Sequence, residues 1–270
     1  MTRALVDIAG GRLDTRWEPA APGAEDRPPL VFLHEGLGSV DLWRGFPDAV
    51  SDRAGGPATL VFSRHGYGRS DPAPLPRPVS YMHHEAAVVV PAVLDRFGLG
   101  APVLVGHSDG ASIAVLYAGA GHTVAGLVLI APHVFVEDVT VASIAAARDT
   151  YETAGLRDRL ARHHDDADAT FRGWNDIWLD PAFRSWTIES SLPAITCPVL
   201  VVQSEGDPYG TVAQVEAVES RVTGPVQRLL VAGTGHAPHV DAPDAVTAAV
   251  AGFLQQVRRP GHRPSGRSSR

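Results

Sequence analysis

Three residues far apart in this 270-residue chain have the types needed for acyl-transfer chemistry: Ser108, Asp207 and His236. The serine sits at the centre of Gly106-His107-Ser108-Asp109-Gly110. A short apolar run, Val103 to Val105, leads into it, and an alanine- and leucine-rich stretch of helical character follows. The segment therefore reads as a strand, a tight turn and a helix with the serine at the tip. Such a turn forces its central residue into strained backbone geometry, and Gly106 and Gly110 lack the Cβ that would keep strand and helix apart. The hydroxyl is then held at a helix N-terminus, where backbone N–H groups point outward. A lone Gly-x-Ser-x-Gly also occurs as a glycine-rich loop with an incidental serine, but that reading does not explain the flanking strand and helix patterns.

A serine hydroxyl is a poor nucleophile until a base takes its proton, and the base needs a third group to orient it and stabilise its charge. Histidine suits the base role because it titrates near neutrality. His236 lies in the open, glycine-flanked stretch Gly233-Thr234-Gly235-His236, and Asp207 leads a Pro-Tyr-Gly turn just past an apolar run. Glu137 and Asp138 follow another apolar run and are alternative acids. His239 falls in the turn of the next helix and reads as a surface or packing residue. His34 and His107 read as loop-orienting groups, and Arg64 as one half of a structural salt bridge. His83-His84, His163-His164 and Asp165-Asp166 have no spacing that fits a metal-ligand set and read as solvated helix faces. No metal and no cofactor is expected. Cys197, the only cysteine, stands at the entry to an apolar strand and reads as a core thiol.

These groups need a scaffold that brings distant loops together. Residues 3–8 and 12–18 read as a strand pair around Gly10-Gly11. Continuous apolar runs follow at Leu30–Leu33, Thr59–Phe62, Val103–Val105, Val124–Ile130 and Val199–Val202, as expected of strands buried on both faces. Helical patterns at about 41–53, 81–97, 211–221 and 243–257, and the stretch after Gly110 up to 119, alternate with them, and a strand lies near 226–231. That rhythm implies a mostly parallel sheet covered by helices on both faces. It breaks between 132 and 192, where residues 141–154 and 156–164 look helical and Phe171, Trp174, Trp178, Phe183 and Trp186 cluster. We expect a helical insert over the carboxyl edge of the sheet, its aromatics packing it onto the body or lining a pocket, with Trp174 and Trp178 as candidate substrate contacts. In an open α/β sheet, ligands bind beyond the carboxyl ends of the strands, and every chemically suggestive segment follows such an end.

With these motifs in place, the chain resembles an α/β-hydrolase with a cap domain over roughly residues 3–257. The elbow around Ser108, the Asp207 turn and Gly235-His236-Ala237-Pro238-His239 match that family's three catalytic positions, in its Ser…Asp…His chain order. Arg64-His65-Gly66-Tyr67-Gly68-Arg69-Ser70 resembles its glycine-rich segment after the fourth strand. The resemblance implies an eight-stranded sheet, a core formed by 1–131 and 193–257, and a cap at 132–192. It also implies an oxyanion hole, with the N–H of Asp109 as one donor. The second comes from His34-Glu35-Gly36, where the family usually has His-Gly-x, so the choice between Gly36 and Glu35 stays open and Glu35 brings a carboxylate towards the substrate. The elbow serine departs from the aspartate of haloalkane dehalogenases and epoxide hydrolases of this fold. The implied activity is hydrolysis of a carboxylic ester, lactone or thioester. C–C bond hydrolysis or cyclisation with the same triad, and ligand binding on a hydrolase scaffold, are the alternatives.

Composition bounds the remaining possibilities. A content of 44% hydrophobic and 20% charged residues is that of a water-soluble globular domain. No apolar run approaches the roughly 20 residues of a membrane span. The N-terminus lacks a signal-peptide h-region, so the expected location is cytoplasmic. The net charge of −7 includes five arginines and no acid between Arg258 and Arg270, so the rest of the chain stands at −12. An acidic body speaks against nucleic acid as a partner and leaves a small-molecule substrate. The tail 258–270 cannot bury apolar surface and is expected to be disordered. No feature of the sequence reads out an oligomeric state.

Overall fold

A computed structural model describes residues 2–8 and 10–257, and the expected disordered tail lies outside them. Eight strands form one sheet: β1 Thr2–Ile8, β2 Gly11–Glu18, β3 Leu30–Leu33, β4 Thr59–Phe62, β5 Val103–His107, β6 Gly126–Ile130, β7 Val199–Ser204 and β8 Val226–Val231. Their spatial order is β1-β2-β4-β3-β5-β6-β7-β8. β2 runs antiparallel to β1 and β4, and every other pairing is parallel.

The period of two in the strands sorts the apolar runs onto two faces. Leu30 and Phe32 of β3, with Val103, Val105, Val128 and Val202, meet Trp43, Phe46, Val246 and Phe253 on one face. These come from the helices α1 Phe46–Arg53 and α10 Pro243–Gln256, and from a 3₁₀ turn at Asp41–Trp43. Val31 and Leu33, with Leu104, Leu127, Leu129 and Val201, face the opposite way. That face is covered by α2 Tyr81–His84, α3 Val90–Phe97, α4 Asp109–Gly119 and α8 Ala213–Arg221. Helix α4 is buried on nearly every side, which explains why it is made of small and apolar residues. The edge strand β8 instead exposes Gln227 and Arg228, polar groups that discourage pairing with another chain.

Two predicted helices are interrupted. The 41–53 stretch breaks at Arg44 (φ 52°), and α1 resumes at Phe46 with Pro47 in its first turn. The 81–97 stretch contains a π turn at Glu85–Val89, directly before Pro91, whose ring nitrogen has no N–H to give the helix ladder. Between 132 and 192 the chain forms α5 Asp138–Thr153, α6 Leu156–Leu160, α7 Ala167–Leu179 and two 3₁₀ turns, Pro181–Ser185 and Glu189–Ala194. Asn175 Nδ2 of α7 donates to the Ile144 carbonyl of α5 at 2.8 Å. Thr170 Oγ1 donates to the Gly66 carbonyl at 2.7 Å, tying α7 to the loop after β4. Helix α9, Pro238–Asp241, is a single turn leading into α10. No helix among the described residues is long and apolar enough to cross a membrane.

Candidate active site

β5 ends at His107 and α4 begins at Asp109, so Ser108 alone makes the turn, at φ 52° and ψ −116°. A residue with a Cβ takes such a conformation only when its surroundings enforce it. The two flanking glycines are required by contact: a Cβ on Gly106 would strike the Gly110 carbonyl, and a Cβ on Gly110 would strike the Leu33 carbonyl.

The turn aims Ser108 Oγ at His236 Nε2, 2.9 Å away. His236 Nδ1–H donates to the Asp207 carboxylate, at 2.9 and 2.8 Å from its two oxygens. Asp207 also accepts from Gln203 Nε2 at 3.0 Å and from the Tyr209 backbone N–H at 2.8 Å. Burial pushes the Asp207 carboxyl up, but the hydrogen bond and charge of His236 and the Tyr209 N–H outweigh it, and the group is held below the usual carboxylate range. The His236 loop is pinned at Gly235, whose carbonyl accepts from Ser204 Oγ at 2.5 Å and whose N–H donates to Asp241 at 2.9 Å. Three positions separated by as much as 128 residues are thus brought into one hydrogen-bonded line. Glu137 is engaged elsewhere, accepting from Thr211 and from Gln214 Nε2.

The loop after β3 is fixed with equal definition. The Glu35 carbonyl accepts from His34 Nδ1 at 2.7 Å, from Arg64 Nη2 at 3.1 Å and from the Gly38 N–H at 3.1 Å. His34 Nε2 accepts from the Arg64 N–H at 3.0 Å, so His34 is a neutral ring with its proton on Nδ1. Burial, followed by the charge of Arg64, pushes its pKa well down, in agreement with that tautomer. In a planar trans peptide the N–H points opposite the C=O. With the Glu35 carbonyl turned onto Arg64 and His34, the Gly36 N–H is turned the other way. Gly36 lines the same cavity as Ser108. A side chain at Gly36 would strike the Trp174 indole, which lies directly against it.

The Asp109 side chain, next to Ser108, ties this loop to the insert. It accepts from Tyr81 OH at 2.7 Å, from Trp178 Nε1 at 3.3 Å and from Arg64 Nη2 at 3.5 Å, all of it buried. Arg64 is therefore the salt-bridge residue the sequence suggested. Its backbone partner on the Glu35 carbonyl was not foreseen. Trp174 and Trp178 both line the cavity and both pack the insert onto the body. Phe171, Phe183 and Trp186 only pack, with Phe183 and Trp186 stacked at 5.1 Å.

Glu35 and His107 form the third connection. His107 Nε2 lies 2.8 Å from the His236 carbonyl, and its Nδ1 lies 3.4 Å from Glu35 Oε2. Burial opposes charge on both. For His107 the hydrogen bond and charge of Glu35 and the His236 carbonyl prevail and raise its pKa. For Glu35 the hydrogen bond and charge of His107 prevail and hold the carboxyl well below its usual range. His239 packs against Trp43 at 5.2 Å and His107 at 4.7 Å, as a packing residue.

Two expectations are corrected. His164 is not on a solvated helix face but buried, accepting from the Gly68 N–H at 2.9 Å and donating to the Leu37 carbonyl at 3.0 Å. Buried backbone groups of two loops needed partners, and a short helix end supplied one ring for both. His83 and His84 are exposed, as expected. Cys197 is half-buried and not the core residue expected, and burial pushes its thiol up to about 11, as suits an unreactive thiol.

The cavity above Ser108 measures about 220 Å³, lined by Glu35, Gly36, Leu37, His107, Ser108, His133, Ile144, Trp174, Trp178, Tyr209, His236 and Ala237. A larger depression of about 430 Å³ includes Pro28, Leu30 and Val257, shares no residue with it, and lies at the amino ends of the strands. His133 and Tyr209 escaped the sequence reading. Their signal was position, since each follows the carboxyl end of a strand (β6 and β7).

The sheet order, with one antiparallel strand and a strained serine between strand and helix, defines the α/β-hydrolase class. The model of the alpha/beta hydrolase family matches residues 30–249, and the chain belongs to that family. Among curated relatives, the bovine (Lyso)-N-acylphosphatidylethanolamine lipase is 33% identical over 98 residues, a match covering 36% of this chain and 28% of that protein. Solved structures with this fold include a proline iminopeptidase from Mycobacterium smegmatis (TM-score 0.73, 19% identity, covering 94% of this chain and 98% of that one). An enol-lactonase from Burkholderia xenovorans LB400 superposes equally well (TM-score 0.73, 19% identity, 93% and 100% covered). A carboxylesterase from Bacillus subtilis follows at TM-score 0.66 and 21% identity, with 94% and 91% covered.

Proposed function

We propose that the chain is a serine hydrolase of small carboxylic esters, lactones or thioesters, with Ser108 as nucleophile, His236 as base and Asp207 as its orienting acid. The observation that carries this reading is the unbroken line from Ser108 Oγ through His236 to Asp207, with contacts of 2.9 and 2.8 Å. Ser108 Oγ attacks the carbonyl carbon while its proton passes to His236 Nε2. The oxyanion forms between the N–H of Asp109, which has no helical carbonyl before it, and that of Gly36. His236 then returns the proton to the departing alkoxide or thiolate. A water molecule, deprotonated by the same histidine, releases the acid and restores Ser108. No step calls on a cofactor.

Residues 132–192 serve in this reading as the cap that closes the cavity, through Trp174 over Gly36 and Trp178 over Asp109. The curated lipase and the neighbouring lactonase and carboxylesterase support hydrolysis of an acyl bond and leave the substrate to the cavity. The test is labelling with a fluorophosphonate, located by mass spectrometry. A stoichiometric adduct on Ser108, abolished in Ser108→Ala and strongly slowed in His236→Ala, is expected. A folded protein that takes up no label refutes the serine hydrolase and leaves a binding protein on a hydrolase scaffold. A diketone panel run beside the esters separates C–C bond hydrolysis from ester hydrolysis.

A further inference from the structure

His133 follows β6 and lies 2% exposed in the wall of the cavity above Ser108. Its backbone is held from two sides: Ser112 Oγ donates to the His133 carbonyl at 2.5 Å, and Gln214 Oε1 accepts from the Val134 N–H at 2.7 Å. Its ring is held by Trp178, whose indole meets it edge-on at 5.2 Å, and lies 5.7 Å from the ring of His236. The ring is thus as firmly placed as the catalytic groups beside it. Yet its nitrogens serve no protein partner among the described residues. Nδ1 is buried without one, on the edge that faces Gly210, where a Cβ would lie 3.6 Å away.

A buried N–H without a partner costs more than an unused acceptor lone pair, so the neutral ring carries its proton on Nε2. Burial, with the charge of His236 added, pushes the His133 pKa down to about 3, so the ring is neutral at physiological pH. It therefore presents one uncharged N–H donor, pre-oriented and unused, within reach of whatever occupies the cavity. The rest of the lining narrows the occupant. No lysine or arginine is among the lining residues, and the one carboxylate, Glu35, repels a second. His107, also at the wall, has Nε2 on the His236 carbonyl and Nδ1 3.4 Å from Glu35 Oε2, so any charge it carries is balanced by Glu35. Leu37, Ile144, Trp174 and Trp178 supply apolar contact, and about 220 Å³ admits only a small molecule.

We propose that His133 is the substrate-orienting donor of this cavity, and that the substrate is a small uncharged ester or lactone carrying a second acceptor oxygen, such as a ketone or ether oxygen, near its reacting carbonyl. The proposal rests on the ester-hydrolase reading above and adds a substrate class to it. A site built to hydrogen-bond a substrate discriminates against the analogue that leaves its donor unpaired.

The experiment compares kcat/KM on ethyl butyrate, ethyl acetoacetate, ethyl levulinate and monoethyl succinate for the wild type, His133→Phe and His133→Gln. The ratio of an oxo ester to butyrate, taken relative to the same ratio in His133→Phe, removes the intrinsic reactivity of the oxo esters. That relative ratio is expected to be about tenfold or more for acetoacetate or levulinate, the equivalent of about 1.4 kcal/mol. His133→Gln, which keeps an N–H donor, restores part of it. Monoethyl succinate is expected to be the poorest substrate. Ratios equal in wild type and His133→Phe overturn the role of His133 while leaving the hydrolase reading intact, and so does a preference for the succinate ester. Failure to turn over any ester or to label Ser108 overturns both. If His133→Phe does not fold, His133→Leu takes its place in the same ratio: a relative ratio of about tenfold or more upholds the donor, and equal ratios in wild type and His133→Leu overturn it.

Discussion

Replacing Glu35 by glutamine isolates the charge of the Glu35–His107 pair from its shape. His107 Nε2 meets only a carbonyl oxygen, that of His236 at 2.8 Å, and must carry a proton. A neutral His107 would then turn the lone pair of Nδ1 towards Glu35 Oε2, 3.4 Å away. Only the imidazolium makes both contacts favourable, and the raised His107 pKa and lowered Glu35 pKa point the same way. At that separation the gross attraction is about 5 kcal/mol for an effective dielectric constant of about 20. Desolvation opposes it, leaving the roughly 1.5–3 kcal/mol typical of a hydrogen bond to a charged group. His107 is also faced by His239, by His236 and by the more distant carboxylate of Asp207. The raised His107 pKa stabilises the fold fully below its ordinary value of about 6.5, and that contribution is lost as pH rises through the raised value. The lowered Glu35 pKa contributes fully above its ordinary value of about 4.3, and its contribution is lost as pH falls towards the lowered one. The stability gap between wild type and Glu35→Gln is therefore largest between about pH 4.5 and 6.5 and shrinks in alkaline solution. Near pH 6 a gap of about 2 kcal/mol corresponds to roughly 4–8 °C in Tm. Thermal melts across pH, with ¹⁵N-histidine spectra reporting the His107 ring, check this. A gap that does not change with pH, or a His107 that titrates alike in both proteins, refutes the reasoning.

Asp207→Asn keeps the shape of the acid but removes the charge that fixes the His236 tautomer, and kcat is expected to fall by roughly 10⁴-fold with Tm little changed, as steady-state kinetics and a melt will show. Arg64→Lys keeps a buried charge near Asp109 but loses the fork that reaches the Glu35 carbonyl. Complete loss of one oxyanion donor costs about 2.7–4 kcal/mol, so a partly misaligned Gly36 should lower kcat about tenfold or more with a smaller change in KM. Gly110→Ala places a Cβ on the Leu33 carbonyl, where backbone has no room to move, and soluble expression is expected to fail. Trp178→Phe removes the indole N–H from Asp109 and Tyr81, with an expected loss of about 1 kcal/mol in denaturant unfolding.

Much of this architecture was legible in the chain because it rests on local rules. The strands β3 to β7 are continuous apolar runs, and only a strand buried on both faces tolerates them. Ser108 was legible because its turn needs glycine at both flanks, and Asp207 and His236 because each follows a strand at the sheet's carboxyl edge. What escaped was set by partners distant in sequence. His164 looked like a solvated residue in a polar stretch, and its burial depends on Gly68 and Leu37, 96 and 127 residues away. The choice between Glu35 and Gly36 as oxyanion donor was undecidable from type alone, since every non-proline residue carries an N–H. It is argued instead from the direction of a single peptide, turned by Arg64 and His34.

That peptide links the departures from family pattern into one account. A glutamate in the oxyanion loop needs space, and Gly38 supplies it, because a Cβ there would overlap the Glu35 carboxylate. The carboxylate faces His107, next to Ser108, whose pKa it raises and which also holds the backbone of His236. The same residue's carbonyl is the acceptor for Arg64, whose guanidinium also reaches Asp109 on the other side of Ser108. Glu35 thus touches the oxyanion loop through its backbone, and the nucleophile turn and base loop through its side chain. A small residue at position 35 would remove the carboxylate facing His107 Nδ1 and with it one connection to the His236 loop. The substitution is therefore a rearrangement of how the three loops are braced, and the cavity they enclose acquires an acidic wall from it.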